Sequence, residues 1–359
     1  LRLHAAILIL FLCQAQASAD SVFAFGEGKG EVSPTEAFFH PMKDFSYTES
    51  WFFLAKLDQG YILYATIFIT NMGLSRFSPG IEFSIFTPEG ERLSVKKEYK
   101  KSNLHALSDK YYVEVEKNLV EGSHPDYHLH LEENGIIVDL SFKSLHPMWR
   151  MGDGKIFFGE DRKKFWSFVV PCPSGLVSGV IDTGSKRVEV KGVGYHDHSL
   201  LNIPATSFSK EWHNIHIFGE NVKVNILDMV LTSKYGGKNA GFAAAFSSDG
   251  SICQSKKYSV STGEPVADDE FGYSYPMRID FRFEGAGCSF KGALLGKKLI
   301  EKMDILSNLH PISRGFVKTF IANPVYYRVL SDFEIELLVQ KESSPLRGNA
   351  LYEIIFIKH

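Results

Sequence analysis

The feature that most constrains this chain is the steady return of short β-branched and aromatic segments closed by turns. Residues 61–70 form one such run and stop at Asn71-Met72-Gly73. Residues 81–86 form another, closed by Thr87-Pro88-Glu89-Gly90, and residues 111–116 follow. Segments 127–131 and 136–142 flank Glu132-Glu133-Asn134-Gly135, whose Asn-Gly pair is a strong hairpin signal. Segments 177–181 and 187–193 flank Asp182-Thr183-Gly184-Ser185, a second hairpin. The later part of the chain continues with 212–218, 222–231, 241–246, 251–259, 278–283, 288–294, 326–339 and 352–357. One patch with apolar residues near helical spacing, 297–309, predicts a short helix ending at His310-Pro311. Strands joined by turns rather than by helices predict an all-β fold of antiparallel sandwiches or barrels.

With 359 residues the chain exceeds one ordinary core, so two domains are expected. Asn202-Ile203-Pro204 breaks the strand pattern, which places the boundary between a 20–205 domain and a 206–359 domain. No internal repeat is evident in the residues. The first 19 residues read as a secretory signal: Arg2, an apolar run over 5–12, and a small-x-small site at Ala17-Ser18-Ala19. That run is shorter than the ~20 residues a membrane span needs. The expectation is an exported protein, periplasmic or associated with the cell envelope. Cys13 would leave with the signal. Cys253 and Cys288 could then pair in an oxidising compartment, or with Cys172 remain buried thiols. A net charge of −3 argues against a nucleic-acid partner. Abundant Phe (29) and Tyr (15) suit strands and the walls of apolar ligand sites.

Chemistry concentrates in Gly192-Val193-Gly194-Tyr195-His196-Asp197-His198-Ser199. The two glycines suggest a bulge or a close approach of backbone. In a regular strand Tyr195 and Asp197 share one face, and His196 and His198 share the other with Val188 and Val190. A bulge at either glycine would swap the faces. The segment reads either as a ligand or reaction site or as a polar network that pins the domain junction. His196 and His198 as metal ligands would need a third partner at a distance the sequence does not reveal. His124, His128 and His130, and His213 with His216, are looser clusters of the kind that 13 histidines produce by chance. No metal and no cofactor is expected.

Gly-x-Gly-Tyr-His-Asp-His resembles the signature of the lipocalin-like superfamily of AttH-type exported proteins, carotenoid 1,2-hydratases and fungal cyclases of the Diels–Alderase kind. Glu49-Ser50-Trp51-Phe52-Phe53 is similar to the Glu-Trp-Trp-Tyr-Phe segment of that group. Trp149-Arg150-Met151-Gly152-Asp153-Gly154-Lys155 resembles the related fungal survival-factor family of ceramide carriers. Leu309-His310-Pro311, Arg314, Phe320, Pro324 and Tyr326-Tyr327-Arg328 fit the same family. The resemblance implies two consecutive lipocalin-like (calycin) antiparallel β-barrels with a hydrophobic pocket inside or between them. It also implies that Tyr195 and Asp197 would be the catalytic pair if the chain is an enzyme, with Asp197 as proton donor to a polyene or terpenoid. Glu49, Trp51, Tyr64, Trp166, His196 and His198 are the expected ligand-binding residues. Where the enzymes continue Asn-Trp-Gly, this chain has Ser199-Leu200-Leu201, a departure that favours carriage over catalysis. The leading expectation is therefore a carrier of a lipid or isoprenoid, serving a membrane transporter. A hydratase or cyclase, and an exported structural protein, are the alternatives.

Overall fold

Alternation of apolar and polar residues, interrupted by glycine turns, builds the chain into two curled antiparallel sheets. A computed structural model describes residues 23–26, 31–72, 76–286, 288–305, 324–339 and 342–357. The expected signal and the segment from Leu309 to Phe320 lie outside them. The first sheet holds β1 (Phe23–Phe25), β2 (Thr48–Leu57), β3 (Ile62–Thr70), β4 (Ser78–Phe86), β5 (Arg92–Glu98), β6 (Leu104–Leu107), β7 (Tyr111–Val115), β8 (Asn118–Ser123), β9 (Asp126–Glu133), β10 (Ile136–Ser144), β11 (Lys155–Phe158), β12 (Lys164–Asp182) and β13 (Arg187–Leu201). The second holds β14 (Ser209–Phe218), β15 (Val222–Leu231), β16 (Asn239–Ser247), β17 (Ile252–Ser255), β18 (Tyr258–Asp268), β19 (Tyr273–Gly285), β20 (Cys288–Asp304), β21 (Val325–Val339) and β22 (Glu342–Phe356). The passage between the sheets runs through Asn202-Ile203-Pro204 and one short helix, α1 (Ala205–Phe208). No helix among the described residues is long and apolar enough to cross a membrane.

The two sheets are wound alike, a repeat that the residues themselves conceal. Each starts at its centre (β2 or β14), meanders to one edge (β5 or β17), and re-enters at the opposite edge (β6 or β18). Each then returns to lie beside its own first strand, as β13 beside β2 and β22 beside β14. Curling brings one edge of each sheet back over its own far half. In the first sheet Lys97 Nζ and the Tyr99 hydroxyl both donate to the Glu133 carboxylate, at 2.7 and 2.6 Å. In the second, a Cys253–Cys288 disulfide ties β17 to β20. Of the two alternatives open for the cysteines, Cys253 and Cys288 pair and Cys172 stays a buried thiol.

Two expectations of the sequence meet different outcomes. The Asn134-Gly135 hairpin forms as expected, with Glu133 opposite Ile136 and both turn residues at positive φ (53° and 78°). Of the helix expected over 297–309, the part through Asp304 is instead the end of β20, and residues 306–309 lie outside the described residues. Pairing of β20 with β21 slips between Gly296 and Lys298 and again between Leu299 and Glu301. Each bulge adds a residue, so the apolar side chains leave period two and imitate helical spacing.

Among the described residues three apolar cores result. Trp51, Phe53, Phe83 and Phe142 fill the first curl, and Phe281, Phe283, Phe290 and Tyr352 the second. Leu54, Tyr64, Trp166, Tyr195, Phe208, Met229, Phe242 and Phe246 pack between the sheets. Strands such as β2, β3 and β13 are thus buried on both faces, which accounts for the nearly unbroken apolar run over 61–70. A polar seam locks this middle layer. Buried Arg328 of β21 donates through Nε to Glu353 at 2.6 Å and through Nη1 to Glu301, with its guanidinium over Tyr64 at 4.1 Å. Glu301 in turn accepts from Ser84 (2.8 Å) and Arg92 (3.2 Å) of the first sheet.

Two stability outcomes follow. Arg328→Ala leaves buried Glu353 without its cation and Glu301 with Arg92 alone, and should cost about 3–5 kcal/mol in urea unfolding. Replacing both Cys253 and Cys288 with serine should cost about 2–4 kcal/mol, measured against the oxidised wild type.

Candidate functional site

β13 lies between β2 and β12, and its pairing with β2 runs unbroken from Gly192 to Leu201. Within β13 the glycines therefore mark close approach; the irregularity opposite residues 194–198 belongs to β12, which carries an extra residue between Val169 and Cys172 and another between Cys172 and Gly175. A Cβ on Gly192 would sit 2.2 Å from the Lys56 carbonyl oxygen, and one on Gly194 would sit 2.6 Å from both Phe142 and Val177. With the register regular, alternation holds. Tyr195, Asp197 and Ser199 face the second sheet, while Val190 and His196 point into the first core and His198 shares their face.

On the Tyr195 face lies a cavity of about 170 Å3 between the sheets. β2 gives it Ser50 and Phe52, and β12 gives Trp166 and Phe168. The second sheet supplies Trp212, Asn214 and His216 from β14, Asn225 to Leu227 from β15, Phe242 from β16 and Glu353 from β22. Aromatic rings stack along the wall: Trp166 on Trp212 with centroids 5.2 Å apart, and Tyr195 against His216 at 4.3 Å. Trp166 Nε1 donates to Ser199 Oγ at 2.6 Å. The Trp212 Nε1–H is buried and has no hydrogen-bond partner among the described residues.

Burial sets the protonation of this face. It pushes the Asp197 carboxyl up to about 8, with the negative Glu353 adding to the effect and the Tyr195 hydroxyl opposing it. Asp197 is therefore a neutral acid at pH 7, able to donate a proton or a hydrogen bond. The Tyr195 hydroxyl is held well above its ordinary range by the same burial and by Asp197. Burial pushes His216 down to about 4, so it is neutral, with Nδ1 set 3.1 Å from the Asn225 Oδ1 that accepts from it.

The opposite face is built differently. His196 is fully buried, stacks parallel on Phe53 at 4.0 Å, donates from Nδ1 to the Phe52 carbonyl (2.8 Å), and accepts from the Tyr111 hydroxyl (2.6 Å). Burial pushes it down to about 3, and both ring nitrogens are used within the barrel wall. His198 Nδ1 lies 3.0 Å from the Glu36 carbonyl oxygen, and its Nε2 lies 2.8 Å from Glu49 Oε1. Glu49 is fully buried. It accepts from the Tyr47 hydroxyl (2.6 Å) and the His40 amide (2.9 and 3.0 Å), and His40 Nδ1 stands 3.3 Å away. Burial would raise the Glu49 carboxyl, but the His198 and His40 contacts outweigh it and hold it below its ordinary value. Trp51 is buried beside His198 and donates to the Ala37 carbonyl at 3.0 Å.

Of the residues expected at a ligand site, Tyr195, Asp197 and Trp166 meet at the cavity. Glu49, Trp51, His196 and His198 do not, because alternation turns them to the other face of β2 and β13. Tyr64 packs in the middle layer under Arg328, away from the cavity. Sequence reasoning missed Phe52, Trp212, His216 and Glu353. Period two would have found some of them: Trp212, Asn214 and His216 share one face of β14, whereas His213 and His216 do not. His213 instead sits between Glu211 (2.7 Å) and Asp228 (3.0 Å), and His128 and His130 flank Asp139 on the outside of the first sheet.

The raised Asp197 carboxyl fixes a sign. Between its ordinary range and about 8 the folded chain keeps a proton that the unfolded chain releases, so stability falls as pH rises through that window. Asp197→Asn removes this loss. Thermal melts from pH 4 to pH 9 should show the variant gaining on wild type across the window, by up to about 1.4 kcal/mol per pH unit. Parallel pH profiles would show that Asp197 ionises freely.

The whole architecture has relatives among solved structures. An AttH protein from Nitrosomonas europaea superposes with a TM-score of 0.67 at 13% identity, over 91% of this chain and 97% of that one. CghA bound to Sch210972 gives 0.60 at 12% identity, over 94% and 99%. Kievitone hydratase from Nectria haematococca gives 0.58 at 10% identity, over 94% and 98%. At these identities the likeness establishes the lipocalin-like fold and nothing finer. No curated protein matches the sequence. A family model, however, matches residues 24–358, nearly the full described length. The chain belongs to the Svf1 family.

Proposed function

We propose that this protein binds an apolar small molecule, of the lipid or isoprenoid class, in the cavity between its two sheets. The carrying observation is the cavity wall: stacked aromatic rings from both sheets around an unpaired indole N–H (Trp212) and a carboxyl held neutral (Asp197). Aromatic walls with a few convergent polar groups are the usual make-up of a small-molecule site. Two donors facing one space suit a ligand that carries an acceptor oxygen on an otherwise apolar body. A volume of about 170 Å3 accepts a group of roughly ring size, so a longer chain would enter end first. Apolar area removed from water supplies affinity at about 25 cal/mol per Å2 without any catalytic step. Export to an oxidising compartment, periplasmic or at the cell envelope, is part of the proposal and is supported by the Cys253–Cys288 disulfide. Delivery to a membrane transporter would fit such a carrier.

Asp197 also favours a second reading, proton donation to an alkene. A neutral acid beside Tyr195 could protonate a double bond, with the Trp166, Trp212 and Phe52 faces stabilising the cation until a water adds to it and returns a proton to the Asp197 carboxylate.

Trp166 and Trp212 line the cavity, so tryptophan fluorescence reports occupancy. Titration with long-chain lipids and isoprenoids, checked by native mass spectrometry, should show one bound molecule. Ser50→Phe, which fills the cavity, should weaken uptake at least about tenfold. Uptake unchanged in that variant would place the ligand elsewhere. Asp197→Asn divides the two readings: a carrier keeps binding within a few-fold, whereas an enzyme keeps binding and loses all turnover of a polyene substrate.

A further inference from the structure

Away from the cavity, on the other face of β2 and β13, three side chains able to ligate a metal converge: His40, Glu49 and His198. Strand pairing sets two of them. His198 stands opposite Trp51, and Glu49 opposite Leu200, so Glu49 and His198 are diagonal neighbours on one face. The third arrives on the segment that follows the 3-10 turn Pro34–Ala37, which crosses that face and bonds its His40 amide to the Glu49 carboxylate.

We propose that His40 Nδ1, Glu49 Oε1 and His198 Nε2 form a binding site for a zinc-class divalent cation. The three donor atoms lie within 4.8 Å of one another, with His198 2.8 Å and His40 3.3 Å from Glu49 Oε1. Donors bonded to one zinc ion at about 2.0–2.2 Å stand about 3–3.5 Å apart, so small rotations of the rings suffice. The supporting shell is already in place. His198 turns Nδ1 to the Glu36 carbonyl, the arrangement by which metal-binding histidines fix ring orientation and present the other nitrogen. Tyr47 and the His40 amide hold the Glu49 carboxylate.

Glu49 and His198 are buried, whereas the His40 side chain is 41% exposed and gives the ion its way in and a position for water. Two imidazoles and one carboxylate select zinc, cobalt or nickel over magnesium and calcium.

The test is titration of the full, chelator-treated protein with Zn2+ alone, followed by calorimetry, and with Co2+, followed by visible absorption. The expected result is one equivalent of Zn2+ at micromolar affinity or tighter. Co2+ should give the absorption bands of a low-coordinate nitrogen–oxygen site, and Ca2+ and Mg2+ should not compete. His40→Ala, at a half-exposed position, should fold normally, weaken Zn2+ at least about tenfold and abolish the cobalt spectrum. Glu49→Gln should do the same if it folds. His130→Ala, in the outer His128–Asp139–His130 group, should change nothing. No Zn2+ uptake, or uptake lost in His130→Ala and kept in His40→Ala, would overturn the site. Because these three residues lie outside the cavity, the outcome is independent of whether a lipid binds there.

Discussion

Unbroken pairing of β13 with β2 is the constraint from which the rest of the molecule follows. This one strand has no solvent face along its central residues: its odd positions serve the layer between the sheets and its even positions the interior of the first curl. A shift of one residue would carry His196 into the aromatic cavity and Tyr195 into the Phe53–Phe142 core, each against partners it cannot satisfy. Gly192 and Gly194 keep that register by letting the neighbouring strands approach where any side chain would collide. The most reactive-looking stretch of the sequence is thus also the most tightly packed.

The second sheet depends on the same layer from the other side. It presents Trp212, His216 and Phe242 to the cavity, and Arg328 carries a buried charge network into the first sheet. Glu353 belongs to both systems: it accepts from Arg328 and, through its charge, helps keep Asp197 protonated. The cavity and the polar seam therefore meet at Glu353, whose partner Arg328 reaches Ser84 and Arg92 of the first sheet through Glu301. Buried ion networks of this kind contribute orientation more dependably than net stability.

Several features were legible in the residues because they depend on local chemistry alone. The Asn134-Gly135 turn was legible because only such pairs tolerate two left-handed residues in succession. The strand character of 61–70, 136–142 and 222–231 was legible from β-branched and aromatic side chains, and the two faces of residues 195–198 from period two. Other features were not. The bulges of β20 imitated a helix because a bulge erases the period on which strand recognition rests. His40 carries no motif and reaches Glu49 only because the chain before β2 folds back across it. The shared winding of the two sheets left no readable repeat, since pairing order is set by backbone hydrogen bonds that many different side chains permit.

By itself, then, the sequence determined the β architecture, the likeness to a lipocalin-like family and the pairing of Tyr195 with Asp197 against His196 with His198, all of them consequences of patterns a few residues long. Tertiary structure alone decided what each pair faces. It turned Tyr195 and Asp197 toward an aromatic cavity whose burial keeps the acid protonated. It sent His196 into hydrogen bonds within the barrel, and set His198 beside a carboxylate 149 positions earlier in the chain. The physical reason is that desolvation and charge neighbourhood arise from groups distant in sequence, and no local pattern records which of them will meet.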